Sequence, residues 1–357
     1  MALTGCRPER GNGYDGHAFV ANEEGSAIAA VNLTAFAVTR HIRIDGKPTK
    51  VLPSPTRDAV WALAGNAVHE IDPSQLAFRR KIALPGTASD LLLSEDGADL
   101  WALLPEQKRA VRLSAETLTV AGSIELPGEP LSMALSPRAP WAAVVLKDAP
   151  PVIFNTREAA KPSALVLPYL ATLAAFRSDG KQLMLAGHAA KQASFVTIPE
   201  GRTVAHLPLA INPRTVATKP DGGEMYLTGD GLDAVVVLYP YMAEVGETVL
   251  AGKGPSAMAA VSIPELAYLF VANPQSGNVT VLDITTHKMV GAVPVGKEPA
   301  FVTMTPDGQY ALVLNQASGD MGVIRVKSVV RNRGKSAPLF TMIPVGSKPV
   351  AAAVRGV

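Results

Sequence analysis

The three tryptophans of this 357-residue chain, Trp61, Trp101 and Trp141, stand 40 residues apart, and an alanine follows each. A recurrence near 40 residues marks a stacked-repeat architecture, in which one supersecondary unit cannot bury its apolar face alone. Turns recur on the same scale. Gly46-Lys-Pro48, Gly128-Glu-Pro130, Gly254-Pro255, Gly296-Lys-Glu-Pro299 and Gly346-Ser-Lys-Pro349 read as one turn repeated. Weaker copies lie at Gly86-Thr-Ala-Ser89, near Tyr169 and at Asn212-Pro213, which makes eight anchors.

The repeat from Gly296 to about Val345 is the clearest. After the anchor, Ala300-Phe-Val-Thr-Met304 is apolar and ends at Thr305-Pro-Asp-Gly308. That order is turn chemistry: Pro sets φ, Asp bonds its own backbone and Gly takes positive φ. Tyr310-Ala-Leu-Val-Leu314, Gly322-Val-Ile-Arg-Val326 and Leu339-Phe-Thr-Met-Ile343 then read as three more strands. Four short strands joined by hairpins at this period predict the blade of a β-propeller. The first turn recurs as Ser94-Glu-Asp-Gly97, Arg177-Ser-Asp-Gly180 and Lys219-Pro-Asp-Gly222, and more loosely as Ser136-Pro-Arg138. No segment holds a 3.6-residue period for long, so helices should be few. The tryptophans head second strands, where an aromatic packs between neighbouring blades.

The ends predict how the ring closes. After Gly346 only one strand remains, Pro349 to Val354, while the chain opens near His17 with second, third and fourth strands that lack a first. Joined, they complete one blade and leave no open sheet edge. The expectation is an all-β propeller of four-stranded antiparallel blades closed by the C-terminal strand on the N-terminal blade. Eight blades are expected, with seven as the alternative if the copy after Tyr169 is irregular.

Length alone would suggest two or three domains, but the repeat assigns residues 17–357 to a single propeller, expected to be monomeric. Net charge +2 argues against nucleic acid, which needs a concentrated basic face. The longest apolar stretch, Ala164 to Phe176, is interrupted by Pro168 and is too short for a membrane helix. The one cysteine sits in Leu3-Thr-Gly-Cys6, which is similar to a bacterial lipobox, although the apolar run that should precede a lipobox is absent. Residues 1–16 then read as a tether. Lipidation at Cys6 would attach the ring to a membrane without a spanning helix, outside the cytoplasm in the periplasm or at the cell surface.

Tyr268-Leu-Phe-Val-Ala-Asn273, Asn278-Val-Thr-Val-Leu-Asp283, Val293-Pro-Val-Gly296 and Thr305-Pro-Asp-Gly308 together resemble the YVTN-type β-propeller repeat. The resemblance runs from His17 nearly to the end and is strongest between Gly254 and Val345. It implies a propeller that is often exported or surface-attached in prokaryotes, and mostly without assigned activity. Related propellers include lactonases, dehydrogenase subunits and haem-binding nitrite-reductase domains. The repeat builds the blade and transfers no catalytic residue, so function rests on the site.

Motifs for covalent haem, a zinc protease helix and a nucleophile elbow are absent from the sequence. No catalytic residue, metal site or cofactor is therefore assigned. Of six histidines, His69 and His206 fall in strands, His17 begins one, His41 precedes one and His287 sits in a turn. His188 ends a second strand and should open on the anchor face, where the channel entrance lies. That face should gather Lys47, Lys50, Lys253, Lys297, Lys348 and Arg214, with Asp90, Glu129 and Glu298 against them. A modest basic excess converging there would favour an anionic small molecule or an acidic peptide segment, although a lysine after glycine also simply solvates a turn. On the opposite side, Val329 to Lys335 inserts three basic residues that could meet lipid headgroups or an acidic partner, or form a solvated hairpin.

Three functions are compatible. The first is a non-catalytic exported scaffold that binds a partner protein, peptide or cell-surface ligand through the channel entrance. The second is a lactonase-like hydrolase, which would place Arg214 or His188 within hydrogen-bond reach of a carboxylate of perturbed pKa. The third is a haem- or metal-bearing redox propeller.

Overall fold

The computed structural model describes residues 13–158, 161–264, 266–331 and 338–356. Eight four-stranded antiparallel sheets follow one another around a ring. Blade 1 joins Pro349–Gly356 as its inner strand to Gly16–Asn22, Ala27–Asn32 and Ala37–Arg43. Blades 2 to 8 follow in chain order over 48–83, 90–125, 130–164, 173–208, 212–250, 258–294 and 299–344.

Closure is as the ends of the sequence predict. Ala18 faces Val354, Phe19 faces Ala353, Val20 faces Ala352 and Ala21 faces Ala351 in an antiparallel register. Alternation then sends Ala351 and Ala353 into the wedge between blades 1 and 2, and Ala352 into the wedge between blades 8 and 1. The chain's two ends thus seal two interfaces at once.

Eight apolar clusters, one at each junction between neighbouring blades, form the core. Second and third strands are covered on both faces by the adjoining blades, which is why they read as continuous apolar runs such as Val60-Trp-Ala-Leu-Ala64. Outer strands meet solvent and alternate, as Thr203–Pro208 does. The 40-residue tryptophan spacing is the interface register: Trp61 fills the junction of blades 2 and 3, Trp101 that of 3 and 4, and Trp141 packs on that of 4 and 5.

Three expectations are corrected in detail. Blade 5 is complete, with Leu173–Phe176 as its inner strand, and the irregular element is the outer strand of blade 4, only Ser163–Ala164. His41 lies within the outer strand Ala37–Arg43 rather than before one. The insertion in blade 8 begins as a short helix, Val326–Arg331, because Val326 and Val329 turn one face onto the junction of blades 7 and 8. Arg333 and Lys335 lie outside the described residues. So does Cys6. Of the tether read over 1–16, residues 13–16 are described and lie against blade 1: the Tyr14 amide donates to the Leu33 carbonyl at 3.2 Å.

Candidate functional site at the channel entrance

The turn that carries the chain from each outer strand to the next inner strand opens on the same face as the hairpin between second and third strands. Five blades enter their inner strand in the same way, with one further pair, Asn212 to Asp230, ahead of the proline in blade 6. A buried proline, Pro48, Pro130, Pro213, Pro299 or Pro349, pairs with the end of the second strand, and the residue after it is skipped by the ladder. Proline suits that position because it brings no N–H to satisfy, and a bulge re-aims the skipped side chain. The skipped residues are Thr49, Leu131, Arg214, Ala300 and Val350. Arg214 alone among them is charged.

Arg214 does not stand by itself. Its Nε donates to Asp230 Oδ2 at 2.6 Å, and the same oxygen lies 2.8 Å from His188 Nε2. Asp230 ends the second strand of blade 6, and His188 follows the second strand of blade 5. The backbone of His188 is held on both sides, its amide by Thr172 Oγ1 at 3.0 Å and its carbonyl by Asn212 Nδ2 at 2.8 Å. Hydrogen bonds from His188 and then Arg214 keep the Asp230 carboxyl below the usual range, so it stays ionised. Among the described residues, no partner reaches either Nη of Arg214, whose side chain is 62% exposed. The guanidinium is therefore fixed at one end and open at the other.

Asp230 was not among the residues the sequence singled out, and the repeat does not mark it. Asn22, Asn273 and Asn315 end the second strands of blades 1, 7 and 8, and all three are buried. Each packs beneath an anchor glycine, Gly346, Gly252 and Gly296 respectively, where an added Cβ would meet the amide. In blade 7 the glycine concerned is Gly252, two residues before the Gly254-Pro255 that the sequence suggests. In blade 6 Gly229 pairs with the proline, as Asn22 and Asn315 do in blades 1 and 8. Asp230 is one residue further on, and its side chain is 50% exposed.

The remaining predicted residues divide into paired and open groups. Lys50 Nζ bridges to Asp90 Oδ1 of the next blade at 2.8 Å. Lys147 reaches Glu129 at 3.3 Å, and Lys348 reaches Glu23 at 2.8 Å. Hydrogen bonding to Glu23 raises the Lys348 pKa. Lys47, Lys253 and Lys297 have no side-chain partner among the described residues. Glu298 and Lys348, each just before a proline, take φ of 56° and 51°, a left-handed conformation that costs a non-glycine residue about 1–3 kcal/mol. They border a cleft of about 630 Å³ shared with Glu24, Gln316, Ser318 and Ser347. Pairing thus absorbs much of the basic excess, and the carboxylates of Glu24 and Glu298 lie beside Lys348.

Of the other histidines, His41 is exposed on the outer strand of blade 1, and three are occupied or covered. His287 places Nε2 3.1 Å from Glu224 and Nδ1 2.9 Å from Glu247, joining blades 6 and 7. His206 Nδ1 meets buried Ser194 at 2.7 Å, and Ser194 in turn meets the Tyr169 hydroxyl at 2.7 Å. Burial pushes the Tyr169 phenol up to about 12. His69 is buried against Phe78, and burial lowers its pKa. Among the described residues, no group of three or more His, Cys, Asp or Glu side chains could hold a metal ion, and no helix is long and apolar enough to cross a membrane.

Comparison with known proteins supports the fold. No known family description matches the chain. A seven-bladed β-propeller protein, Rv1057 of Mycobacterium tuberculosis, is 26% identical over 137 residues, which span 38% of this chain and 35% of that protein. The dihydro-heme d1 dehydrogenase NirN, solved in complex with DHE, superposes with a TM-score of 0.78 at 16% identity, over 99% of this chain and 78% of its own. Apo AztD from Citrobacter koseri superposes with a TM-score of 0.70 at 11% identity, over 96% of this chain and 99% of its own. The chain is thus a β-propeller protein, distantly like these three.

Proposed function

We propose that this protein is a non-catalytic scaffold of the YVTN type, working outside the cytoplasm. Its channel entrance binds a carboxylate-bearing ligand, either an anionic small molecule or an acidic peptide segment. The observation that carries this reading is Arg214. Its Nε is pinned by Asp230, and its two Nη groups are unpartnered among the described residues. A pre-oriented guanidinium loses little freedom on binding and presents parallel N–H groups that match a carboxylate. Lys253 and Lys297, also on the entrance face, add long-range attraction without fixing geometry. Each contributes little alone, since an exposed charge pair is worth about 0–1 kcal/mol.

Calorimetric titration with hexaglutamate and with citrate, at low and at physiological salt, tests the reading. Binding should weaken at least about tenfold in Arg214→Ala and fall with salt. No binding in either salt, or binding that Arg214→Ala leaves unchanged, would sink it.

A lactonase-like reaction is the second reading, and one observation favours it: Asp230 holds His188 through Nε2, leaving Nδ1 as the base that an Asp-oriented imidazole can offer. Hydrolysis of δ-valerolactone that disappears in His188→Ala would support this reading over the first. A redox propeller receives less support. His188 is the histidine that reaches the entrance, and its Nε2 is taken.

A further inference from the structure

Free positive charge is spread unevenly around the channel entrance. On blades 1, 2 and 4, Lys348, Lys50 and Lys147 are spent on Glu23, Asp90 and Glu129. Four consecutive blades differ. Lys191 of blade 5, Lys253 at the entry to blade 7 and Lys297 at the entry to blade 8 have no side-chain partner among the described residues. Between them, Arg214 of blade 6 keeps both Nη groups open.

Lys191 closes the hairpin that begins at His188, and its Nζ lies 3.8 Å from where a Cβ on Gly231, the neighbour of Asp230, would stand. It therefore reaches the Arg214 corner from the adjoining blade. Lys253 and Lys297 occupy matching turns, each donating its amide to a hairpin serine, Ser276 at 3.2 Å and Ser318 at 3.0 Å. The same clasp sets both at the same place on successive blades. Carboxylates inside this arc are occupied: Asp230 holds Arg214 and His188, and Asp233 Oδ1 accepts the Gly254 amide at 2.9 Å. Glu298, directly after Lys297, ends the arc toward blade 1. Lys47 and Lys108 are also without side-chain partners among the described residues, but they stand on blades 2 and 3, away from it.

Uncharged groups lie between the cations. Leu232, 39% exposed, tips the blade 6 hairpin between Asp230 and Asp233. Asn212 Nδ2 holds the His188 carbonyl, and its Oδ1 has no donor among the described residues. Gln275 lies against Gly254.

We infer that the occupant of the entrance is an extended acidic peptide segment of a partner protein, laid along blades 5 to 8, which rests on the carboxylate reading of Arg214 and narrows it. The corner is open rather than enclosed, since the Arg214 and Asp230 side chains are each half exposed or more. A small-ligand site buries about 70–90% of its occupant, which this surface cannot do for a lone anion. A chain of carboxylates engages several cations at once, and each contact raises the local concentration of the next. A polyuronate would do the same, but its hydroxylated rings would leave Leu232 uncovered. A peptide has apolar side chains for Leu232 and backbone amides for Asn212 and Gln275.

Calorimetric titration of the full chain with glutamate oligomers of two, four and six residues, at low salt, tests the inference. Affinity should rise about tenfold or more from diglutamate to hexaglutamate. The double variant Lys253→Gln, Lys297→Gln should weaken hexaglutamate about tenfold and spare diglutamate, whereas Lys191→Gln should weaken both. Lys108→Gln should change neither. If Arg214→Ala weakens hexaglutamate but the double variant does not, the extended peptide is overturned and the carboxylate reading stands. Equal affinity for short and long oligomers overturns it in the same way. If Arg214→Ala changes nothing, or no oligomer binds, both fall together. Hexagalacturonate binding more tightly than hexaglutamate would overturn the peptide in favour of a polyuronate.

Discussion

Two glycines of the entry turns should respond oppositely to the same substitution. Gly296 and Gly128 both open the turn into an inner strand. A Cβ on Gly296 would sit 2.7 Å from Asn315 Nδ2 and 2.8 Å from Asn315 Cβ, and against Ser318 Oγ. Neither neighbour yields freely: Asn315 is fully buried and donates to Asp320 at 2.6 Å, and Ser318 Oγ accepts the Lys297 amide at 3.0 Å. Overpacking of this kind costs about 1–3 kcal/mol, against about 0.4–1 kcal/mol gained by restricting the unfolded chain. Gly296→Ala should therefore lose about 2 kcal/mol. At Gly128 the new Cβ would find Ala149 Cβ at 3.4 Å and Leu146 Cδ1 at 3.6 Å, ordinary contacts. Gly128→Ala should gain about 0.5 kcal/mol. With an unfolding entropy of about 2.1 cal/mol/K per residue, a single transition of the 357-residue chain moves about 1.3 °C per kcal/mol. Calorimetry should show Tm about 2.5 °C lower for Gly296→Ala and slightly higher for Gly128→Ala. Equal shifts in the two variants would refute the claim that the residue ending the second strand decides what the turn tolerates.

Three further outcomes follow from packing and charge. The Glu70 carboxylate is 1% exposed and is clamped by Arg79 at 2.9 Å and Arg80 at 2.7 Å. Glu70→Gln should cost about 1.5 kcal/mol, read as a urea midpoint shift, because it weakens two charge-assisted hydrogen bonds while Arg79 keeps Asp72 and Arg80 keeps the Glu116 and Thr117 carbonyls; a change under about 0.5 kcal/mol would contradict the account. Burial, and then Lys81, lowers the pKa of His69 from 6.5, so the unfolded chain takes up a proton there before the folded one does. The stability this contributes is complete above about pH 6.5 and is lost as pH falls through the folded value. His69→Leu should flatten the decline in urea midpoint between about pH 7 and 5, and parallel curves would remove the residue from that linkage. Deleting 349–357 should leave blade 1 with three strands and an open edge, giving aggregates on gel filtration. A cooperative monomer would show that the closing strand is dispensable.

The ring was legible in the chain because its determinants are local. Turn signals such as Thr305-Pro-Asp-Gly308 and apolar runs such as Tyr310–Asn315 each fix one element, and repetition supplies the rest. The closing strand was legible too, since an inner strand without a blade and a blade without an inner strand admit one match. Single-residue exposure was harder to read. Asn22, Asn273 and Asn315 are held under glycine turns, whereas Asp230 stands one residue past Gly229, the partner of Pro213, and faces out; that offset is set by pairing across the sheet. Lys50, Lys348 and Glu129 were placed on the entrance face as free charges, but pairing across blades and hairpins is a contact between distant segments that no pattern along the chain encodes.

The skipped residues at the five inner-strand bulges carry a consequence for how such a protein changes over time. Thr49, Leu131, Arg214, Ala300 and Val350 take no position in the ladder register. Thr49, Leu131 and Arg214 are exposed and can be exchanged without shifting the alternation that fills the wedges between blades, whereas Val350 packs on the junction of blades 1 and 2. Specificity at the mouth is thereby uncoupled from the frame: a new ligand requires new side chains at a handful of sites that stability hardly constrains.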